Sequence, residues 1–173
     1  MAAGVVLDTT FLITLANDER AHHSAARLFW RHFTESGMPI FLSTVVVSEF
    51  CIKQELPPDI LRSCFLLPFN WDDAQQTAEL LRQAVFGSSE AREAVKDDWK
   101  IIAQSIICNA AYLITEDDKM HRRATAMSDD RGSALRSIDL KNGFNLSVFH
   151  PARQGALVFE SPEDEADEEV GGN

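Results

Sequence analysis

Short apolar runs alternate with helical patterns along this chain, and that alternation limits its possible folds more than any other feature. The runs are GVVLD (4–8), PIFLST (39–44), FLLPF (65–69), AYLIT (111–115) and NLSVFH (145–150), and each reads as a strand. Helical patterns are expected between them at about 10–17, 21–36, 44–55, 71–86, 96–109 and 118–127. Strands separated by helices argue for an α/β fold, a parallel sheet covered on both faces. GSSEAREAVKDD (87–98) reads as a turn entering a helix, with Ser88 or Ser89 as a cap. SDDRGSALRSIDLKNG (128–143) is polar and reads as loop.

The chain of 173 residues is long enough for one domain that buries roughly two-thirds of its unfolded surface. Its formal charge of -11 is unevenly spread. Residues 160–173, ESPEDEADEEVGGN, hold 7 of the 27 acids and no Lys or Arg, leaving 20 acids against 16 bases, or -4, for residues 1–159. The division expected is a folded domain over 1–155 and an acidic tail over 156–173, too poor in apolar residues to fold. No apolar run approaches the roughly 18 residues of a membrane span, and no secretory signal opens the chain. Cys51, Cys64 and Cys108 lack the paired spacing of a zinc site and read as buried free thiols, which fits a cytoplasmic protein.

Acidic residues gather where the apolar runs end. In open α/β sheets, ligands bind in the crevice beyond the carboxyl ends of the strands. Asp8 closes the first run and Asp117 follows the fourth by two residues; adjacent parallel strands would aim both into one crevice. Each could equally cap the helix that follows. Glu49 falls on the helical wheel between Val45 and Val46, an apolar sector where a carboxylate costs several kcal/mol unless compensated. An i,i+4 pair with Lys53 is the alternative account of it. In KDDWKIIAQSI the apolar stripe through Trp99, Ile102, Ala103 and Ile106 leaves Asp98 nearer the buried edge than Asp97. Both acids also suit the first turn of a helix by complementing its dipole.

Brought together, Asp8, Glu49, Asp98 and Asp117 would repel one another and raise their own pKa values. A divalent cation relieves that repulsion. Oxygen ligands with no His or Cys among them select Mg²⁺ or Mn²⁺.

The order VVLDTTFLI, FLSTVVVSEF, KDDWKIIAQSI, LITEDDK resembles the PIN-domain family of metal-dependent ribonucleases, including the toxin-like members of bacterial toxin–antitoxin pairs. The likeness spans about residues 4–150 and matches Asp8, Glu49, Asp98 with Ile101, and Thr115 with Asp117. It implies a three-layer α/β/α fold with a five-stranded parallel sheet, and cleavage of RNA, usually single-stranded, to a 5′-phosphate and a 3′-hydroxyl. Under it the four acids hold Mg²⁺ or Mn²⁺, while Thr10 and Thr115 orient metal-bound water or a carboxylate. An antitoxin protein and a homodimer are the partners it suggests. His121, Arg122, Arg123 and Lys100, with Lys119, would meet the RNA backbone; a solvated basic helix face accounts for them as well.

Three other readings compete. A PIN-like module without activity would serve as an interaction scaffold. A phosphotransfer receiver requires an acceptor Asp after the third strand and a Lys after the fifth; in FLLPFNWDD, Asp72 and Asp73 come only after a Trp, and SVFHPAR has no Lys. A dinucleotide-binding domain requires a Gly-rich loop after the first strand, where this chain has Asp8, Thr9 and Thr10.

Overall fold

The computed structural model describes residues 4–83, 92–131 and 134–149. At its centre lies β1 (Val5–Leu7), whose three apolar side chains are fully buried and carry no polar group that burial would strand. β1 pairs in parallel with β2 (Ile40–Ser43) and with β4 (Tyr112–Thr115), Val5 lying opposite both Ile40 and Tyr112. Beyond β2 comes β3 (Phe65–Leu67), and beyond β4 comes β5 (Arg136–Asp139). The sheet is therefore five parallel strands in the order β3-β2-β1-β4-β5.

Among the described residues seven helices flank the sheet in a three-layer α/β/α arrangement. They are α1 (Thr9–Ala16), α2 (His23–Glu35), α3 (Thr44–Cys51), α4 (Pro58–Ser63), α5 (Trp71–Gln83), α6 (Arg92–Ile107) and α7 (Asp118–Arg131). Several begin directly at a strand end, on a side chain that accepts from the first-turn amides. Asp8 accepts from Thr10 N, Ser43 accepts from Val45 N, and Asp117 accepts from the amides of Lys119 and Met120. None of the described helices is long and apolar enough to cross a membrane.

The topology creates the crevice. From β1 the chain steps outward to β2 and β3, then returns across the sheet to β4 and steps the other way to β5. The connections leaving β1 and β4 diverge at their carboxyl ends, which is the switch point where such sheets bind ligands.

Four of the five expected strands form where the apolar runs lie; the fifth does not. NLSVFH contributes a short 3-10 turn, Leu146–Phe149, and the fifth strand lies in the stretch read as loop. The reason is position. β5 is an edge strand in which Ile138 is the one buried side chain, so RSID needs no apolar run. The aromatics around 145–150 pack on α2 instead: Phe144 meets Phe29 at 5.0 Å and Phe149 meets Phe33 at 5.9 Å between ring centroids. The same loop expectation also missed the last turn of α7, and α4 went unread because its six residues carry one buried apolar group, Ile60. Among the thiols, all free, Cys51 is exposed at the end of α3 rather than buried. Burial pushes the half-buried Cys64 up to about 12. Ser88, Ser89 and the expected 156–173 tail lie outside the described residues.

Candidate functional site

Asp8 sits at the carboxyl end of β1 and is 4% exposed. Burial raises its proton affinity, against hydrogen bonds that favour the ionised form. Its Oδ2 accepts from Thr10 Oγ1 at 2.6 Å, from Thr115 Oγ1 at 2.7 Å and from Thr10 N at 3.3 Å. Thr115, fully buried at the end of β4, also accepts from Asp117 N at 2.9 Å, while Thr10 Oγ1 accepts from Glu116 N at 2.9 Å. The two hydroxyls lie 3.2 Å apart. Together they fasten the end of β1 to the end of β4, so the Thr-x-Asp spacing has a structural cause.

Glu49 reaches the same crevice from α3 and accepts from the Thr9 hydroxyl rather than pairing with Lys53. Its proton affinity is raised, first by burial and then by the charges of Asp8 and Asp97. Asp98 comes from α6 and pairs with Arg123 of α7. Burial pushes Asp98 up to about 7; Arg123 opposes the shift, and Asp8, Asp117 and Glu49 reinforce it. Asp97 pairs with Lys100 at 2.6 Å, which separates the roles of the two adjacent acids. Asp118 is likewise drawn aside, to Lys141 at 2.6 Å.

Asp8, Glu49, Asp98 and Asp117 all line one cleft of about 510 Å³. Two arise at strand ends and two on helices, as the sequence order requires. Both alternatives in the sequence are true at once for Asp8 and Asp117: each caps a helix and each faces the cleft. Among the described residues, no three His, Cys, Asp or Glu side chains stand within shared coordinating reach of one ion. Each carboxylate is turned toward a donor of its own: hydroxyls for Asp8 and Glu49, a guanidinium for Asp98, helix amides for Asp117. By donor chemistry the set fits a hard divalent cation, being carboxylates beside hydroxyls with no thiolate or imidazole in the lining.

His121, Arg122, Arg123 and Lys100 stand outside the lining of this cleft. His121 bonds Ser137 at 2.8 Å, Arg123 is engaged with Asp98, Lys100 with Asp97, and Arg122 is exposed; none of them lines the cleft. Arg20 and Lys53 do. Arg20 also holds Glu116 at 2.9 Å. Burial resists ionisation of Glu116, but hydrogen bonds from Thr14 and Arg20 outweigh it and hold this acid below its usual range. Little in the sequence points to Arg20, which lies in the aperiodic NDER stretch; Thr9 was visible only as a neighbour of Asp8.

No protein-family model and no curated protein matches the chain. Solved structures do. A chain of VapBC2 from Rickettsia felis, bound to a DNA fragment from their promoter, aligns with a TM-score of 0.53 at 15% identity, covering 78% of this chain and 97% of that one. A chain of DNA-bound VapBC from Salmonella typhimurium gives 0.49 at 13% identity, with 80% and 98% covered. At such identity the likeness to the Rickettsia felis chain speaks for architecture alone, and the architecture of this chain is PIN-like.

Proposed function

We propose that this chain is a divalent-metal-dependent endoribonuclease that cleaves phosphodiesters of single-stranded or structured RNA. One observation carries the reading: four carboxylates from four separate elements line a single cleft at the switch point of a PIN-like sheet. Carboxylates gathered in a part-buried cleft, with proton affinity raised at three of them, are costly to a fold that makes no use of them.

Asp8, Glu49, Asp98 and Asp117 would hold Mg²⁺ or Mn²⁺. The ion would lower the pKa of a bound water and offset charge on the phosphodiester. Thr10 and Thr115 fix the Asp8 carboxylate through its Oδ2. Thr9 orients Glu49 in the same way. Lys53, on the cleft wall, would meet a backbone phosphate. No His, Ser or Cys nucleophile is required.

The VapBC neighbours motivate a toxin role, with an antitoxin protein as partner and a homodimer as the assembled form, in the cytoplasm. Incubating purified protein with a labelled RNA tests the reading. Mg²⁺- or Mn²⁺-dependent cleavage to 5′-phosphate ends, stopped by EDTA and absent in Asp8→Asn, is the expected result. Calorimetry should show the ion binding to the wild type and not to that variant.

The pairing of Asp98 with Arg123 favours one second reading, an inactive PIN-like interaction module. An arginine already neutralising one of four acids lessens the need for a cation. Neither metal binding nor cleavage would support that reading.

A further inference from the structure

The described chain ends against α2. The ring of Phe149 lies 4.6 Å from that of His32 and 5.9 Å from that of Phe33. Ten residues follow, HPARQGALVF (150–159), and then the acidic run from Glu160. Fully extended, ten residues reach about 33 Å, whereas the 13 residues of α2 span about 20 Å. Glu160 and the acids after it can therefore reach any turn of α2.

A groove of about 680 Å³ runs along that helix and the end of α1, lined by Leu15, His23, Arg27, Leu28, Trp30 and Arg31 among others. Its charged groups are cationic. Arg27 and Arg31 are one turn apart and exposed; Arg31 has Glu35 at 3.9 Å, both highly exposed, and Arg27 has no ion pair among the described residues. Such an exposed pair holds Arg31 weakly. This is an unusual strip on a chain of formal charge -11. The last part of the sequence is its complement: Leu157, Val158 and Phe159 are apolar, and seven acids follow without one base.

We infer that residues 157–169 of the same chain dock in this groove, the apolar triplet on Leu15, Leu28 and Trp30 and the acids on Arg27 and Arg31. Tethering makes the association intramolecular, with an effective concentration on the order of millimolar for a short linker, so weak contacts suffice. The alternative resting place, the cleft, is disfavoured by sign, since Asp8, Glu49, Asp98 and Asp117 would repel the acids.

The test is ¹⁹F NMR of the full chain labelled with 5-fluorotryptophan. It carries three tryptophans, Trp30, Trp71 and Trp99, and Trp30→Phe assigns the groove signal. Raising the salt concentration should move the Trp30 signal and leave the buried Trp99 signal in place. That salt response should vanish in Arg27→Glu/Arg31→Glu. It should vanish equally in Glu163→Gln/Asp164→Asn/Glu165→Gln/Asp167→Asn, which keeps both arginines; an unchanged Trp99 signal reports that each variant is folded. A Trp30 signal indifferent to salt, or a response surviving in either variant, overturns the inference. A response lost on dilution also overturns it, because the groove would then hold the tail of a second molecule.

Discussion

Arg123 donates a hydrogen bond to the carboxylate of Asp98, joining α7 to α6 at the cleft. The pair is 12% and 24% exposed, so neither charge is fully solvated. Among the described residues Asp98 is the one acid of the four with an ion-pair partner, and its ionisation is pushed up to about 7. It is where the charge of the cleft and the stability of the fold meet.

Arg123→Met keeps the aliphatic length of the side chain and removes its charge. Leaving a part-buried carboxylate uncompensated should lower stability by about 1–3 kcal/mol at neutral pH. Urea denaturation of both single variants and of Arg123→Met/Asp98→Asn completes the cycle. The double variant should recover a large part of the loss; strict additivity would mean that the pair contributes nothing.

The pH dependence has a definite sign. Asp98 ionises near 3.8 in the unfolded chain and at about 7 in the folded one, so between those values the folded state holds more protons. Stability of the metal-free protein should therefore fall as pH rises from about 4 to 7, by at most about 1.4 kcal/mol per pH unit for one group. Asp8 and Glu49, also raised, act in the same direction. Denaturation midpoints at several pH values should show the decline, and Asp98→Asn should flatten it.

Asp8→Asn keeps the volume and the helix cap, since Asn caps as well as Asp does. Metal-free stability should hold or rise as repulsion is relieved. RNA cleavage should drop by orders of magnitude. Saturating Mg²⁺ at about a hundred times its dissociation constant should stabilise the wild type by about 2.7 kcal/mol, and this variant much less. Wild-type turnover in the variant would end the nuclease reading.

Thr115→Val is nearly the same shape without the hydroxyl that donates to Asp8 and accepts from Asp117 N. Removing a fully buried partner from both should lower stability by about 1–3 kcal/mol. Cleavage should fall too, because Asp8 loses one of its two positioning hydroxyls. Thr125→Val, on the exposed face of α7, should change neither.

Lys53 lines the cleft and Arg122 does not. Lys53→Ala should raise KM for RNA severalfold with kcat little changed, and Arg122→Ala should leave both near wild type. The reverse pattern in steady-state kinetics would place the RNA along α7.

Much of the architecture was legible because the relevant code is local. A run such as VVL, apolar at every position, is buried on both faces when it pairs at the centre of the sheet, and an acid ending it caps the next helix whichever strand lies beside it. Hence β1, β2, β3 and β4 appear where the apolar runs lie. Edge position breaks that code. RSID forms β5 through backbone pairing with β4, Thr115 opposite Asp139, and backbone pairing leaves no trace in side-chain periodicity. Phe149 of the last apolar run is used against α2 instead.

By itself, then, the sequence determined which acids stand at strand ends and on which helical sectors the others lie, because those facts depend only on spacing along one element. Tertiary structure decided their company: Thr9 for Glu49, forty residues away, Arg123 for Asp98, and Lys53 and Arg20 on the cleft wall. Such partners are set by how the layers pack and which strands become neighbours. No periodicity within a single segment carries that information.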